Sequence, residues 1–143
     1  MKPTILSLAA LPLAAAHYGL TYPPWRFDAL SEAATARGYS EWLYPCAGVP
    51  ATSNRTAWPV AGGSLKLELH HDWTYLFVNL GLGANATNFN ITLTPEFFNV
   101  TGSGAFCLPK LNVPEGTAKD GDVASLQVVT LGDSGSALYS VSS

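Results

Sequence analysis

Hydrophobic and polar positions alternate most cleanly over Ser64-Leu65-Lys66-Leu67-Glu68-Leu69, with three leucines to one side and a lysine and a glutamate to the other. A period of two marks a strand with one buried face. After the turn His70-His71-Asp72, the β-branched and aromatic run from Trp73 to Leu80 predicts a buried strand. Phe89 to Thr94 alternates again, apolar residues inward and Asn90 outward. A short segment surrounds Phe106-Cys107. Ala124–Thr130 and Ala137–Val141 predict two late strands, joined through Gly132-Asp133-Ser134-Gly135. At the other end, His17 to Tyr22 alternates briefly before Pro23-Pro24 breaks it and an extended arm leads to Asp28. Only Ala29 to Arg37 favours a helix, with Asp28 placed to cap it and Gly38 to end it. At about two turns it would decorate a loop. Glu41 to Pro59 is turn-rich and holds Cys46. Short strands between Gly, Pro and Asn turns predict an all-β fold, an antiparallel β-sandwich of immunoglobulin-like type. There is no internal repeat and no domain linker.

The first sixteen residues stand apart from that pattern. Lys2, the apolar run Ile5 to Leu13, and the small-x-small residues Ala14 and Ala16 read as a signal peptide cut after Ala16. The run is shorter than the roughly 20 apolar residues that span a bilayer. Residues 17–143 then form one domain, beginning with His17 and carrying no transmembrane helix. Four N-x-S/T sequons, at Asn54, Asn85, Asn90 and Asn99, agree with secretion and predict glycosylation. The two cysteines, Cys46 and Cys107, suit an oxidising compartment and are the candidate pair for a disulfide, the pairing itself being left open by the sequence. Only 12% of residues are charged and the net charge is −3, which leaves no basic stripe for nucleic acid. Four Trp, six Tyr and six Phe argue for a compact fold and against disorder.

The scarce histidines carry the chemistry. Of three, one opens the mature chain and two form the pair His70-His71. A first-residue histidine offers two nitrogens, its α-amine and its imidazole. One further imidazole completes a three-nitrogen set of the kind Cu(II) accepts in a planar or tetragonal arrangement. Zinc would call for four tetrahedral ligands. His71 shares the strand parity of the inward leucines and is favoured as the ligand, with His70 as a solvent-facing neighbour. Asp28 is a candidate carboxylate ligand and equally a helix cap; Asp72 and Asp133 have weaker claims. The amine titrates at roughly 7.7–8.0 and histidine at roughly 6.5. Metal binding therefore releases protons and weakens on acidification.

These residues, with Tyr22-Pro23-Pro24-Trp25-Arg26, Trp42 to Val49, Asn54 to Pro59, Val78 to Gly83 and Gly135 to Tyr139, resemble the fungal LPMO-like copper-binding proteins, the copper acquisition factor family. The resemblance spans the mature chain. It implies the β-sandwich of lytic polysaccharide monooxygenases and a copper histidine brace: His17 through its amine and side chain, His71, and an aspartate mapped to Asp28. It also implies copper acquisition or homeostasis, or interaction with the cell wall, at the cell surface or in the secreted space and without polysaccharide cleavage. The partners implied are the copper ion and either wall components or a membrane copper transporter. Family members usually carry a glycolipid (GPI) anchor, for which this sequence has no signal. They also carry a further strand and cysteine after the Leu-Tyr dipeptide, so residues 17–143 are expected to lack the last strand. Two alternatives remain: a lytic monooxygenase using the same brace, and a structural wall module whose histidines are incidental.

Overall fold

The computed structural model describes residues 17–132 and 135–143. The expected leader and Asp133 lie outside them. The chain runs β1 (Tyr18–Tyr22), α1 (Glu32–Ala36), β2 (Gly63–Leu69), β3 (Trp73–Leu82), β4 (Ile91–Thr92), β5 (Phe98–Thr101), β6 (Gly104–Leu111), β7 (Ala124–Leu131) and β8 (Ala137–Ser142). One sheet has the order β1-β2-β6. The other has β4-β3-β7-β8, with β5 also paired to β3. Every pairing is antiparallel. This is the all-β sandwich that the alternation predicts.

The core follows directly from the period of two. Leu65, Leu67 and Leu69 of β2 face Leu76 and Val78 of β3, with Leu20, Leu126, Val128 and Leu138 in the same cluster. Lys66 and Glu68 stay at the surface. The stretch expected as a strand over Phe89–Thr94 pairs only at Ile91–Thr92. Just beyond, Leu93 N–H donates to the Val78 carbonyl at 2.8 Å, while the Val78 N–H goes to the Thr94 hydroxyl at 2.9 Å in place of a backbone carbonyl. Trp58 lies against β2, its indole N–H donating to the Ser64 carbonyl. A Cβ on Gly63 would meet that indole at 2.3 Å, so only glycine fits.

Three expectations change. The helix is confined to Glu32–Ala36, and its N-cap is Ser31, whose hydroxyl accepts from Ala34 N–H. Asp28 instead caps the preceding turn, accepting from Leu30 N–H at 2.9 Å. Cys46 and Cys107 are not a disulfide: both are free. Cys46 is buried in the loop after α1, near enough to the Arg26 guanidinium to feel its charge, while Cys107 sits on an outward position of β6. The thiols therefore belong to different faces of the sandwich. Among the described residues no helix is long and apolar enough to cross a membrane.

The arm between β1 and α1 ties the two sheets together. Trp25 bridges to Ser142, and Arg26 N–H donates to the Val141 carbonyl at 2.8 Å. The Arg26 side chain reaches Ser125 and Ser143 hydroxyls.

Candidate metal centre

The register of β1 on β2 sets the site. Tyr18 opposes Leu69, so His17 falls opposite His70, whose N–H donates to the His17 carbonyl at 3.2 Å. Residues more than fifty positions apart thus share one rim of the sandwich. His70 is exposed there and His71 is half-buried, as the parity of β2 suggests. The Nε2 atom of His71 is sealed from solvent and has no hydrogen-bond partner. Leaving a buried polar nitrogen unpaired costs about 1–3 kcal/mol, so the described residues do not complete this position.

Across from it, His17 Nδ1 lies 2.9 Å from Glu41 Oε2. Burial disfavours the His17 imidazolium, and the fields of His70 and then His71 add to this, so its pKa lies below the usual histidine value. The three imidazoles are therefore close enough to feel one another. Glu41 is 1% exposed, and its Oε1 is also without a partner. Burial pushes its pKa up to about 8; the Tyr18 backbone hydrogen bond pulls it down, and Asp28 adds a smaller push upward. At neutral pH the pair is a neutral imidazole beside a neutral acid. A cation placed between them would reverse that preference for the carboxyl.

The segment carrying Glu41 is clamped to the second sheet. Tyr139 N–H donates to the Glu41 carbonyl at 2.7 Å, and the Gln127 amide donates to the Pro45 carbonyl at 2.8 Å. Trp42 meets the His17 ring edge-on at 6.1 Å, and Tyr44 meets Tyr139 at 5.3 Å. Both leave much of their surface in solvent.

Of the acidic residues favoured from sequence, Asp28 is exposed, engaged at Leu30, and acts on Glu41 only through space. Asp72 is exposed, with its carbonyl accepting from Gly102 N–H. Glu41 is the residue that sequence reasoning missed. Its only local signal is an acid flanked by aromatics, Tyr39 and Trp42, within a turn-rich stretch. Among the described residues no three His, Cys, Asp or Glu side chains converge tightly enough to hold an ion by themselves. A brace is a different donor set, since it needs two side chains and one chain-terminal amine. Two imidazoles on one rim, one with an orphaned inward nitrogen, fit that set.

Residues 15–140 match the family model described as copper acquisition factor BIM1-like. The chain is 36% identical over 156 positions to the lytic polysaccharide monooxygenase-like protein ham-7 of Neurospora crassa, covering 98% of this chain and 68% of that protein. It is 33% identical to the lytic polysaccharide monooxygenase-like protein X325 of Aspergillus fumigatus, covering 94% and 68%. To a lytic polysaccharide monooxygenase-like protein of Emericella nidulans it is 30% identical, covering 93% and 66%. The chain thus spans about two thirds of the length of these relatives.

Proposed function

This chain belongs to the BIM1-like copper acquisition factor family, and from that premise we propose that it holds Cu(II) outside the cell in a histidine brace centred on His17. Removal of residues 1–16 turns the backbone nitrogen of His17 into an α-amine. That amine and Nδ1 belong to one residue and chelate together. His71 supplies the third nitrogen through Nε2. Glu41 supplies the nearby carboxylate, and Asp28, the residue first favoured from sequence, tunes it through space. The observation that carries this reading is the sealed, partnerless Nε2 of His71 on the rim that His17 shares.

Copper brings affinity for nitrogen donors and one-electron redox chemistry. This chain's own residues supply the rest. Burial keeps the His17 imidazole neutral, so one of its two ring nitrogens carries no proton and keeps its lone pair free. Glu41 holds a proton at Oε until a positive charge displaces it, so loading releases protons. A carboxylate beside the ion favours the Cu(II) state, which suits carriage and uptake more than oxygen activation. The protein is therefore read as a handler of the ion without turnover, passing it to a membrane transporter or holding it at the wall.

The test is a chelator-competition titration of protein beginning at His17, beside the same protein with one glycine added in front. Loss of tight binding on extension, with an electron paramagnetic resonance pattern of three nitrogens in the unextended form, is the expected result. Binding that survives the extension would overturn the brace. His70→Ala should bind as wild type and His71→Ala should not. Glu41→Gln should weaken binding more than Asp28→Asn; the reverse order would return the carboxylate role to Asp28. Ascorbate-driven release of oxidised oligosaccharides from chitin or glucan would overturn the non-catalytic reading and favour a monooxygenase.

A further inference from the structure

β3 carries a second feature on its outer side, away from the core. Trp73, Tyr75 and Phe77 alternate outward while Thr74, Leu76 and Val78 are buried. Their rings form a strip: Trp73 lies 4.6 Å from Tyr75, Tyr75 lies 4.7 Å from Phe97, and Phe97 lies 5.5 Å from Phe77. Phe97 is 50% exposed, so the strip is open to solvent along its β5 side. Next to it is a sequon. Phe97-Phe98-Asn99-Val100-Thr101 places Asn99 opposite Tyr75 and Thr101 opposite Trp73. Asn54, Asn85 and Asn90 are also exposed, but at the position two residues before each stand Thr52, Gly83 and Asn88, not an aromatic.

The Asn99 side chain is already aimed. Its Oδ1 accepts the Trp73 indole N–H at 2.6 Å. Glycosyl transfer acts on the other atom of the amide: Nδ2 forms the bond to C1 of the sugar, the C1–O bond to a lipid diphosphate donor breaks, and Nδ2 gives up one proton. Oδ1 remains an acceptor throughout. The hydrogen bond that fixes the amide therefore survives modification, with Nδ2 on the side away from Trp73. A β-linked N-acetylglucosamine presents three axial C–H bonds on one face. Those weakly positive hydrogens suit the negative face of an aromatic ring, and the contact removes apolar surface from water.

We propose that Asn99 carries an N-glycan whose first sugar lies on the aromatic strip of β3 and β5, with Phe97 as its platform, so that this glycan is part of the folded structure. The other three sequons lack that platform and carry freely solvated glycans, or none. The proposal rests on passage of the chain through the secretory route, as the function above does, and it is independent of copper.

The experiment uses protein secreted by a glycosylating yeast. Glycopeptide mapping gives occupancy, and thermal unfolding compares wild type, Thr101→Ala, Phe97→Ala and the double variant. Thr101→Ala removes the sequon and leaves the Asn99–Trp73 bond intact. The expected result is an occupied Asn99 and a Tm lower by roughly 3–6 °C in Thr101→Ala. In the Phe97→Ala background, loss of the glycan should shift Tm by less than about 1 °C. Trimming every glycan to its first sugar should leave the wild-type Tm in place. Should Phe97→Ala fail to fold, Phe97→Leu keeps the apolar bulk without the ring and reads the same coupling. An empty Asn99 beside occupied sequons elsewhere, or equal Tm losses in both backgrounds, would overturn the proposal alone. No glycan at any of the four sites would overturn the secretory reading with it.

Discussion

The interior between the two sheets and the rim at the start of β1 solve opposite problems with adjacent residues. Inside, Leu20, Leu67, Leu76, Val78, Val128 and Leu138 pack against one another with at most 1% exposure. At the rim, one residue away from β1, the chain buries a carboxyl beside an imidazole. Among the described residues three sealed side-chain polar atoms lack partners, and two of them, Glu41 Oε1 and His71 Nε2, belong to that rim. The interior is closed on itself but for the third of these atoms, Thr130 Oγ1 on β7. The rim holds groups that the fold alone leaves unsatisfied, and such groups persist where another species completes them. Stability and binding should therefore separate when the two regions are altered in turn.

The largest expected effect is in the interior. Leu67→Ala, at a fully buried position, should destabilise the chain by about 2–5 kcal/mol in chemical denaturation, while the folded fraction keeps its copper affinity. A parallel loss of affinity would mean that the rim is not an independent unit. The converse change is His71→Ala. It should lower copper affinity by more than about 100-fold, beyond what outer partners of a metal ligand contribute. It should shift metal-free stability by less than about 1 kcal/mol, because the deleted nitrogen makes no hydrogen bond. A large metal-free destabilisation would assign His71 to packing.

Glu41→Gln sharpens the contrast through pH. The carboxyl titrates near 4.5 when unfolded and at about 8 in the fold. Between those values the native state binds more protons, so the stability gained by holding that proton is full below about pH 4.5 and is lost as pH rises through about 8. Metal-free wild type should lose about 1–3 kcal/mol over that window, local rearrangement absorbing the remainder. Glu41→Gln should flatten the slope. A variant with the wild-type slope would place the titrating group elsewhere.

What the sequence discloses and what it hides divide along the same line. The strands that wall the interior are legible because one face repeats every second residue: Leu65, Leu67 and Leu69 need only their neighbours to declare a strand. The His71 side follows from that count carried two residues on. β5 escapes it, since Phe98 to Thr101 offers a single buried residue, Val100, and four positions are too few for a period. Glu41 escapes for a stronger reason. Its burial is made by Tyr18, β8 and the loop around it, partners distant in the chain, and nothing in Ser40-Glu41-Trp42 records them. The pairing of Cys46 with Cys107 failed likewise: a count of two thiols carries no information about which sheet face each occupies.

The indole of Trp58 resting on Gly63 has a consequence for anyone scanning this chain by saturation mutagenesis. Position 63 will be depleted as severely as position 17, although it contributes no chemistry, because every other amino acid adds a carbon where a ring already sits. Sorting such a library by abundance and by metal capture separately will tell the two apart: variants at 63 vanish from both pools, and variants at 17 from one.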